Sequence, residues 1–392
     1  MDNNTITPAY TLKQLVQYFF KLGYAGFGGP VALIGYMHRD LVEERKWISE
    51  EEYKDGLALA QLAPGPLAAQ LGIYLGYVHY RILGATLCGL AFVLPSFFMV
   101  VLIGMAYKAF GGLPWMQAIF YGVGAAVVGI ITISSYKLTE KSISKVNIKA
   151  MSDKWLLWTF FLLGAIATII TEQEQLLLFI AAGLLYMFVK APPAWFKKTT
   201  VANSFLLFGI GFWDYELSTL ERIAWFFSKA GAFVFGSGLA IVPFLHGGVV
   251  NEYHWLTEHE FIDAVAVAMI TPGPVVITVG FIGYLVAGFP GASVAALATF
   301  LPCYLLTILP APYFKRYGRL PGIKAFVDGI TAAVIGALAG SVIVIAVRTI
   351  KDVPTALIAL ATIFVLLKVK KVKEPHIILM AALVGLAFKF LS

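Results

Sequence analysis

The chain carries one unit twice. Residues 21–66 align without a gap on residues 229–274, an offset of 208, and 17 of the 46 positions are identical. The identities include Lys21 with Lys229, Phe27 with Phe235, Gly28 with Gly236, His38 with His246, Trp47 with Trp255 and Asp55 with Asp263. Both copies end in Pro-Gly-Pro, at 64–66 and 272–274. One deleted residue then shifts the offset to 207. Leu94-Pro95 falls on Leu301-Pro302, Leu113-Pro114 on Leu320-Pro321 and Gly129 on Gly336. A repeat of this length makes the fold two copies of one supersecondary plan. We divide the chain into a first repeat (1–195), a linker (196–212) and a second repeat (213–392).

Both copies are apolar. Hydrophobic residues make up 59% of the chain and charged residues 13%, against about 25% charged in a soluble domain. The apolar stretches are long runs, which excludes an outer-membrane barrel with its alternating segments of about ten residues. An all-α polytopic membrane protein remains. Each half reads as about five spans plus or including a broken hairpin. A first span covers 12–37 or 220–245, broken by the Gly-rich stretches 25–30 and 234–238. Two long spans follow the Pro-Gly-Pro region, at 82–107 and 115–136, with partners at 291–313 and 323–347. Each half closes with two shorter apolar segments, at 155–171 and 176–189, or 354–367 and 377–391.

The short segments come in pairs, so each pair adds two crossings or none, and the other three spans are odd in number. The halves are therefore expected in opposite orientations, as inverted-topology repeats. Charge agrees. The stretch 38–54 has four Lys and Arg and its counterpart 246–262 has none, whereas 108–117 has one and 315–324 has four. Equivalent loops that exchange their positive charge are expected on opposite sides of a membrane. With the first polar loop inside, both termini lie outside. The net charge of +7 then belongs to this bias, and nucleic acid is not an expected partner.

The candidate site grows from the two Pro-Gly-Pro triplets. Pro64 and Pro272 end the arm before them, since proline lacks an N–H and clashes with the preceding turn. Gly65 and Gly273 permit a reversal. Pro66 and Pro274 suit the first position of the next helix. Each triplet predicts a re-entrant helical hairpin with its tip near the bilayer midplane, where irregular backbone is tolerated only if buried in protein or lining a cavity. The second arms offer first-turn N–H groups at Leu67, Ala68 and Ala69, and at Val275, Val276 and Ile277. Such termini suit an anion. Broken helices meeting at the midplane are a transporter arrangement. Gly28, Gly29 and Pro30, with Gly236, Ser237 and Gly238, are candidates for the same cradle. Lys21 and Lys229 could supply charge, and Gln70 and Thr278, one turn past each tip, could donate hydrogen bonds. Asp55 and Asp263 lie within otherwise apolar helices, so they are candidates to carry a coupled proton or ion.

Other pairs have structural readings. Ser49 with Glu52 and Thr257 with Glu260 fit capping boxes. Trp47 and Trp255 suit the membrane interface. His38 and His246 sit at span ends and read as interfacial rather than metal-binding. Cys88 and Cys303 read as small buried residues, and no cofactor or metal motif occurs.

The motifs resemble a known family. FGGP (27–30), HRDLVEERKWISEEEY (38–53), LAPGPLAAQLGIYLGY (62–77) and LPSFF (94–98), with FGSGLAIVPF (235–244), HWLTEHEF (254–261), TPGPVVITVGFIGY (271–284) and FLPCY (300–304), are similar to the two-domain type of the chromate ion transporter family. The resemblance covers nearly the whole chain. It implies a carrier of the inner, cytoplasmic membrane that exports chromate, a tetrahedral, sulfate-like oxyanion, on the proton-motive force, and not an enzyme. The alternatives on the same scaffold are a carrier for sulfate or another oxyanion, or an anion channel. The expected partners are a small inorganic anion and the lipid bilayer. Oligomeric state is left open, with a homodimer as one arrangement.

Overall fold

In a computed structural model, residues 10–27, 29–110, 114–146, 148–171, 175–192, 218–233, 241–317, 320–369, 372 and 374–391 are described. The linker 196–212 lies outside them, as do Gly28, Gly236, Ser237 and Gly238.

The described residues are helical throughout, with no strand among them. In the first half α1 spans Leu12–Ala25, α2 Gly29–Met37, α3 Glu50–Leu62, α4 Leu67–Phe110, α5 Pro114–Ser142, α6 Ile148–Asp153, α7 Trp155–Thr171 and α8 Leu176–Lys190. In the second half α9 spans Thr219–Phe233, α10 Ile241–His246, α11 Glu258–Ile270, α12 Thr278–Ile308, α13 Ala311–Tyr317, α14 Pro321–Thr349, α15 Val353–Lys368 and α16 Glu374–Leu391. A wider π-type turn follows α2 (His38–Glu44) and its counterpart α10 (Gly247–Glu252). Among the described residues four segments are long and apolar enough to cross a membrane. They hold the predicted spans at 82–107, 115–136, 291–313 and 323–347. Within the third of them the chain is bent, since α12 ends at Ile308 and 311–317 forms α13.

The 44 residues of α4 would make a straight rod of about 66 Å, twice the hydrocarbon thickness. They do not. Arg81 has non-helical dihedrals (φ 53°, ψ −143°), and the chain folds back there. A Cβ at Gly76 would lie 2.4 Å from the Gly84 carbonyl oxygen, although eight helical residues span about 12 Å. The second half repeats the reversal. Gly288, the counterpart of Arg81, has φ 63° and ψ −153°, and Gly283 meets the Gly291 carbonyl oxygen at 2.4 Å in the same sense. Conformations of this kind suit glycine. Arg81 holds one because the small Gly76 and Gly84 let the two arms touch.

The halves interlock through their long and closing helices. α7 and α8 of the first half pack on α14 of the second, and α15 and α16 pack on α5 of the first. The approach is close because glycines line it. A Cβ on Gly336 would stand 1.9 Å from the Phe161 carbonyl oxygen, and one on its counterpart Gly129 would stand 2.9 Å from that of Ala359. The remaining buried apolar residues form one core around α3 and the start of α4, and a larger one around α11, α12 and α5.

Candidate functional site: where each Pro-Gly-Pro turn meets the opposite half

Each turn is built from its own arms. Ser49 opens α3 with a capping box: its hydroxyl accepts from the Glu52 N–H, and the Glu52 carboxylate accepts from the Ser49 N–H at 2.9 Å. Thr257 and Glu260 do the same for α11, at 2.8 Å. Each following arm is apolar and ends two residues before its triplet, at Leu62 and Ile270. Gly65 then takes φ +140° and Gly273 φ +94°, a region that L side chains rarely adopt.

The chain returns alongside itself after each turn. Gly56 on α3 abuts the Tyr74 ring, and Glu52 reaches His79 at 3.3 Å across the outer ends of the arms. On α12 the Thr278 hydroxyl donates to the Ala264 carbonyl on α11 at 2.8 Å. The arms start differently. α4 begins at Leu67, so Pro66 caps the helix from just before its first residue instead of occupying that position. Val275–Ile277 form a tighter 3-10 turn before α12, and the Ile277 N–H is taken by the Pro274 carbonyl at 2.9 Å.

The two turns meet parts of the opposite half. The Gly273 N–H donates to the Gly26 carbonyl at 2.9 Å, just beyond α1. The Ser96 hydroxyl donates to the Gly23 carbonyl at 3.1 Å, and a Cβ on Gly273 would fall 2.0 Å from that hydroxyl oxygen. At the other turn, a Cβ on Gly65 would lie 3.0 Å from the Cys303 sulfur. Ser96 and Cys303 are equivalent under the 207-residue offset, and both are fully buried. Each turn thus rests against the same position of the other half's long helix.

The predicted site residues distribute unevenly around this meeting of turn and opposite half. Gly65, Pro66, Leu67, Ala68, Gln70, Pro272, Gly273, Pro274, Val276 and Thr278 are buried in it, and Pro64 and Val275 partly so. Gly29 and Pro30 open α2. Lys21 is exposed, and Lys229 is partly buried with its Nζ 5.4 Å from the Trp225 ring centroid. Neither takes part in the contacts that the turns make with the opposite half. The expected donors Gln70 and Thr278 are already engaged. Gln70 Nε2 donates to the Pro64 carbonyl at 2.8 Å, and Thr278 binds Ala264 as above. Gln70 Oε1, by contrast, is buried with no partner, which costs about 1–3 kcal/mol unless something fills it.

Asp55 and Asp263 are both buried, at 6% exposure. The Tyr107 hydroxyl donates to Asp263 at 2.7 Å. Its repeat counterpart is Phe314, so the two acids have different surroundings. His38 lies 2.9 Å from Glu50, and the buried His246 lies 2.9 Å from Glu258. Glu258 also binds Arg348 at 2.8 Å. The outer end of the first hairpin carries a further polar cluster: Tyr10 bonds His79 at 2.7 Å and stacks on Trp47. In that polar first turn the His79 and Ser49 bonds, opposed by burial, hold the Glu52 carboxyl down at about 2. Sequence reading missed Ser96, Tyr107, His79 and Arg348. Only Ser96 left a signal, in its place after the repeated Leu-Pro. No group of three or more potential metal ligands occurs among the described residues.

A family model described as "Chromate transporter" matches residues 13–188 and again 222–386. The "Chromate transport protein" of Cupriavidus metallidurans is 65% identical over 97% of this chain and 94% of its own length. The "Probable chromate transport protein" of Synechococcus elongatus is 58% identical over 98% of this chain and 97% of its own length. The "Chromate transport protein" of Pseudomonas aeruginosa is more distant, 28% identical over 91% of this chain and 86% of its own length. No solved structure matches the chain.

Proposed function

The chain belongs to the chromate transporter family, and from that premise we propose that it is a secondary carrier exporting chromate across the cytoplasmic membrane. The reading takes the two halves as inverted repeats and each Pro-Gly-Pro turn as the tip of a re-entrant hairpin. Both termini then lie outside. The observation that carries it is the meeting of each turn with the opposite half, where the Gly273 N–H reaches the Gly26 carbonyl and Gly65 abuts Cys303. Two breaks from opposite halves meet in the interior, which is how transporters build a midplane site.

The N–H groups of Leu67, Ala68 and Ala69, with those of Val275 and Val276, bind the oxyanion. Gly28, Gly29 and Pro30 and the 236–238 stretch complete the cradle. Lys21 and Lys229 act at longer range, as charges that draw the anion in. Asp55 and Asp263 carry the coupled proton, with Tyr107 holding Asp263. The hairpin-bearing segments rock against the scaffold formed by α5, α7, α8, α14, α15 and α16. Export follows from elementary electrostatics, because an inside-negative potential expels anions with about 2.3 kcal/mol per charge per 100 mV.

Flux into proteoliposomes tests this. With an imposed pH gradient, labelled chromate accumulates above equilibrium, and the accumulation collapses with the gradient. Flux that only follows the anion's own gradient would assign a channel instead. A preference for sulfate would keep the mechanism and change the substrate.

A further inference from the structure

Among the described residues near the turns, the Gln70 amide is the polar side chain whose hydrogen bonding is incomplete in a direction that specifies a ligand. Gln70 is fully buried. Its Nε2 is tied to the Pro64 carbonyl at 2.8 Å, which fixes the amide's orientation, since turning it over would set two oxygens against each other. Oε1 is then left as a buried acceptor without a partner. Buried orphans of this kind call for an explanation. The amide stands one turn into α4, against Gly65, whose Cβ position would lie 2.7 Å from Nε2 and 3.0 Å from the Cys303 sulfur. The equivalent residue in the second half, Thr278, has no such vacancy, because its hydroxyl donates to Ala264.

We infer that Gln70 Oε1 accepts a hydrogen bond from the hydroxyl of a singly protonated oxyanion, so that the site selects its substrate by the proton it carries. The inference rests on the oxyanion reading above and deepens it. A cradle made only of N–H donors takes any tetrahedral oxyanion of the right size. An acceptor within it is satisfied only by a substrate that brings a donor, and it repels a fully ionised one. Chromate takes up a proton close to neutral pH. Sulfate and selenate do so only in strong acid. One acceptor thus separates chromate from sulfate where shape and charge do not. Titratable groups stand on every element packed against this arm: Glu50, Glu51, Glu52, Tyr53, Lys54 and Asp55 on α3; Tyr74, Tyr77, His79 and Tyr80 on the arm itself; Lys13, Tyr18, Lys21 and Tyr24 on α1; Tyr36 on α2; Glu258, His259, Glu260 and Asp263 on α11; and Tyr284, Cys303 and Tyr304 on α12. The pH response of these groups belongs to the carrier and persists in a Gln70 variant, whereas a response read through Gln70 does not.

Selenate is the deciding probe, because it is close to chromate in size and fully ionised. In proteoliposomes holding the wild-type protein, selenate competes with labelled chromate at least about tenfold more weakly than unlabelled chromate does. The apparent affinity for total chromate falls as the pH rises from slightly acid to alkaline. In Gln70→Leu the pH dependence of affinity flattens and the gap between selenate and chromate closes. Gln70→Thr, which installs the second half's own residue, gives the same result in a turn that keeps a polar staple. Should neither variant fold, the wild-type competition and pH series decide alone. Equal competition by selenate, a pH-independent affinity, or a selenate–chromate gap and an affinity pH slope as large in a folded Gln70 variant as in the wild type overturns the inference and leaves the carrier reading standing. No flux of any oxyanion through folded wild-type protein overturns both.

Discussion

The meeting of turn and opposite half depends on single atoms. Gly273 has a positive φ, and a Cβ there would fall 2.0 Å from the Ser96 hydroxyl oxygen. Gly273→Ala therefore carries about 1–2 kcal/mol of backbone strain and must also push Ser96 off the Gly23 carbonyl. We expect chromate flux per folded molecule to fall by an order of magnitude. Adding Ser96→Gly removes the colliding side chain and restores part of the flux. Wild-type flux in Gly273→Ala would mean that this turn need not stay seated on Ser96 and Gly26 during transport. Asp263 is a second atom-scale case. The Tyr107 hydroxyl that holds it belongs to the first half, and the equivalent position of the second half is Phe314. The duplication preserved both acids, and the tertiary contacts made them different.

At the scale of the element, the first hairpin is clamped at both ends. Gln70 ties the tip to Pro64, and Glu52 ties α3 to His79 at the outer end. The Glu52 clamp has a definite pH signature. Its carboxyl is lowered from an ordinary 4.5 to about 2, so its contribution to stability is full above about 4.5 and is lost as pH falls toward about 2. Thermal unfolding of the wild type and Glu52→Gln in detergent measures this. The wild type should unfold at the higher temperature near neutral pH, and the difference should shrink through that acid window. A difference independent of pH would show that Glu52 acts through its cap on Ser49 alone. The long helices follow the same logic of local fit. α4 and α12 reverse at Arg81 and Gly288 because glycine pairs let the arms close on each other, and without the reversal neither would match a bilayer.

The whole molecule is an exchange between halves. The closing helices of each half lie on the long helix of the other, and each Pro-Gly-Pro turn rests on the other half's Leu-Pro position. Two mutually wrapped copies give few places to hinge, which directs motion to the hairpins. The orientation of the copies has a direct test. Cysteines at the equivalent positions 45 and 253, placed one at a time in a chain with Cys88→Ala and Cys303→Ser, should react with an impermeant thiol reagent from opposite sides of the membrane. Labelling from the same side would refute inverted topology and both predicted terminus positions.

Much of this was legible in the residues. The duplication, the spans, the capping boxes at Ser49 and Thr257 and the breaks at Pro-Gly-Pro are all local, since propensity, capping and chain length act over one or two turns. The resemblance carried by the same motifs anticipated the family. Contacts between residues distant in sequence were not legible. That Gly273 would find Gly26, that Ser96 and Cys303 would face opposite turns, that Tyr107 would hold Asp263, and that the Gln70 and Thr278 donors would be spent on their own hairpins required the two halves to be packed together. The 3-10 start of α12 belongs with these. Local sequence determined which segments are helices and where they break. Only the tertiary structure decided which broken ends meet, because burial and hydrogen-bond satisfaction are properties of the assembled interior and not of any stretch of chain.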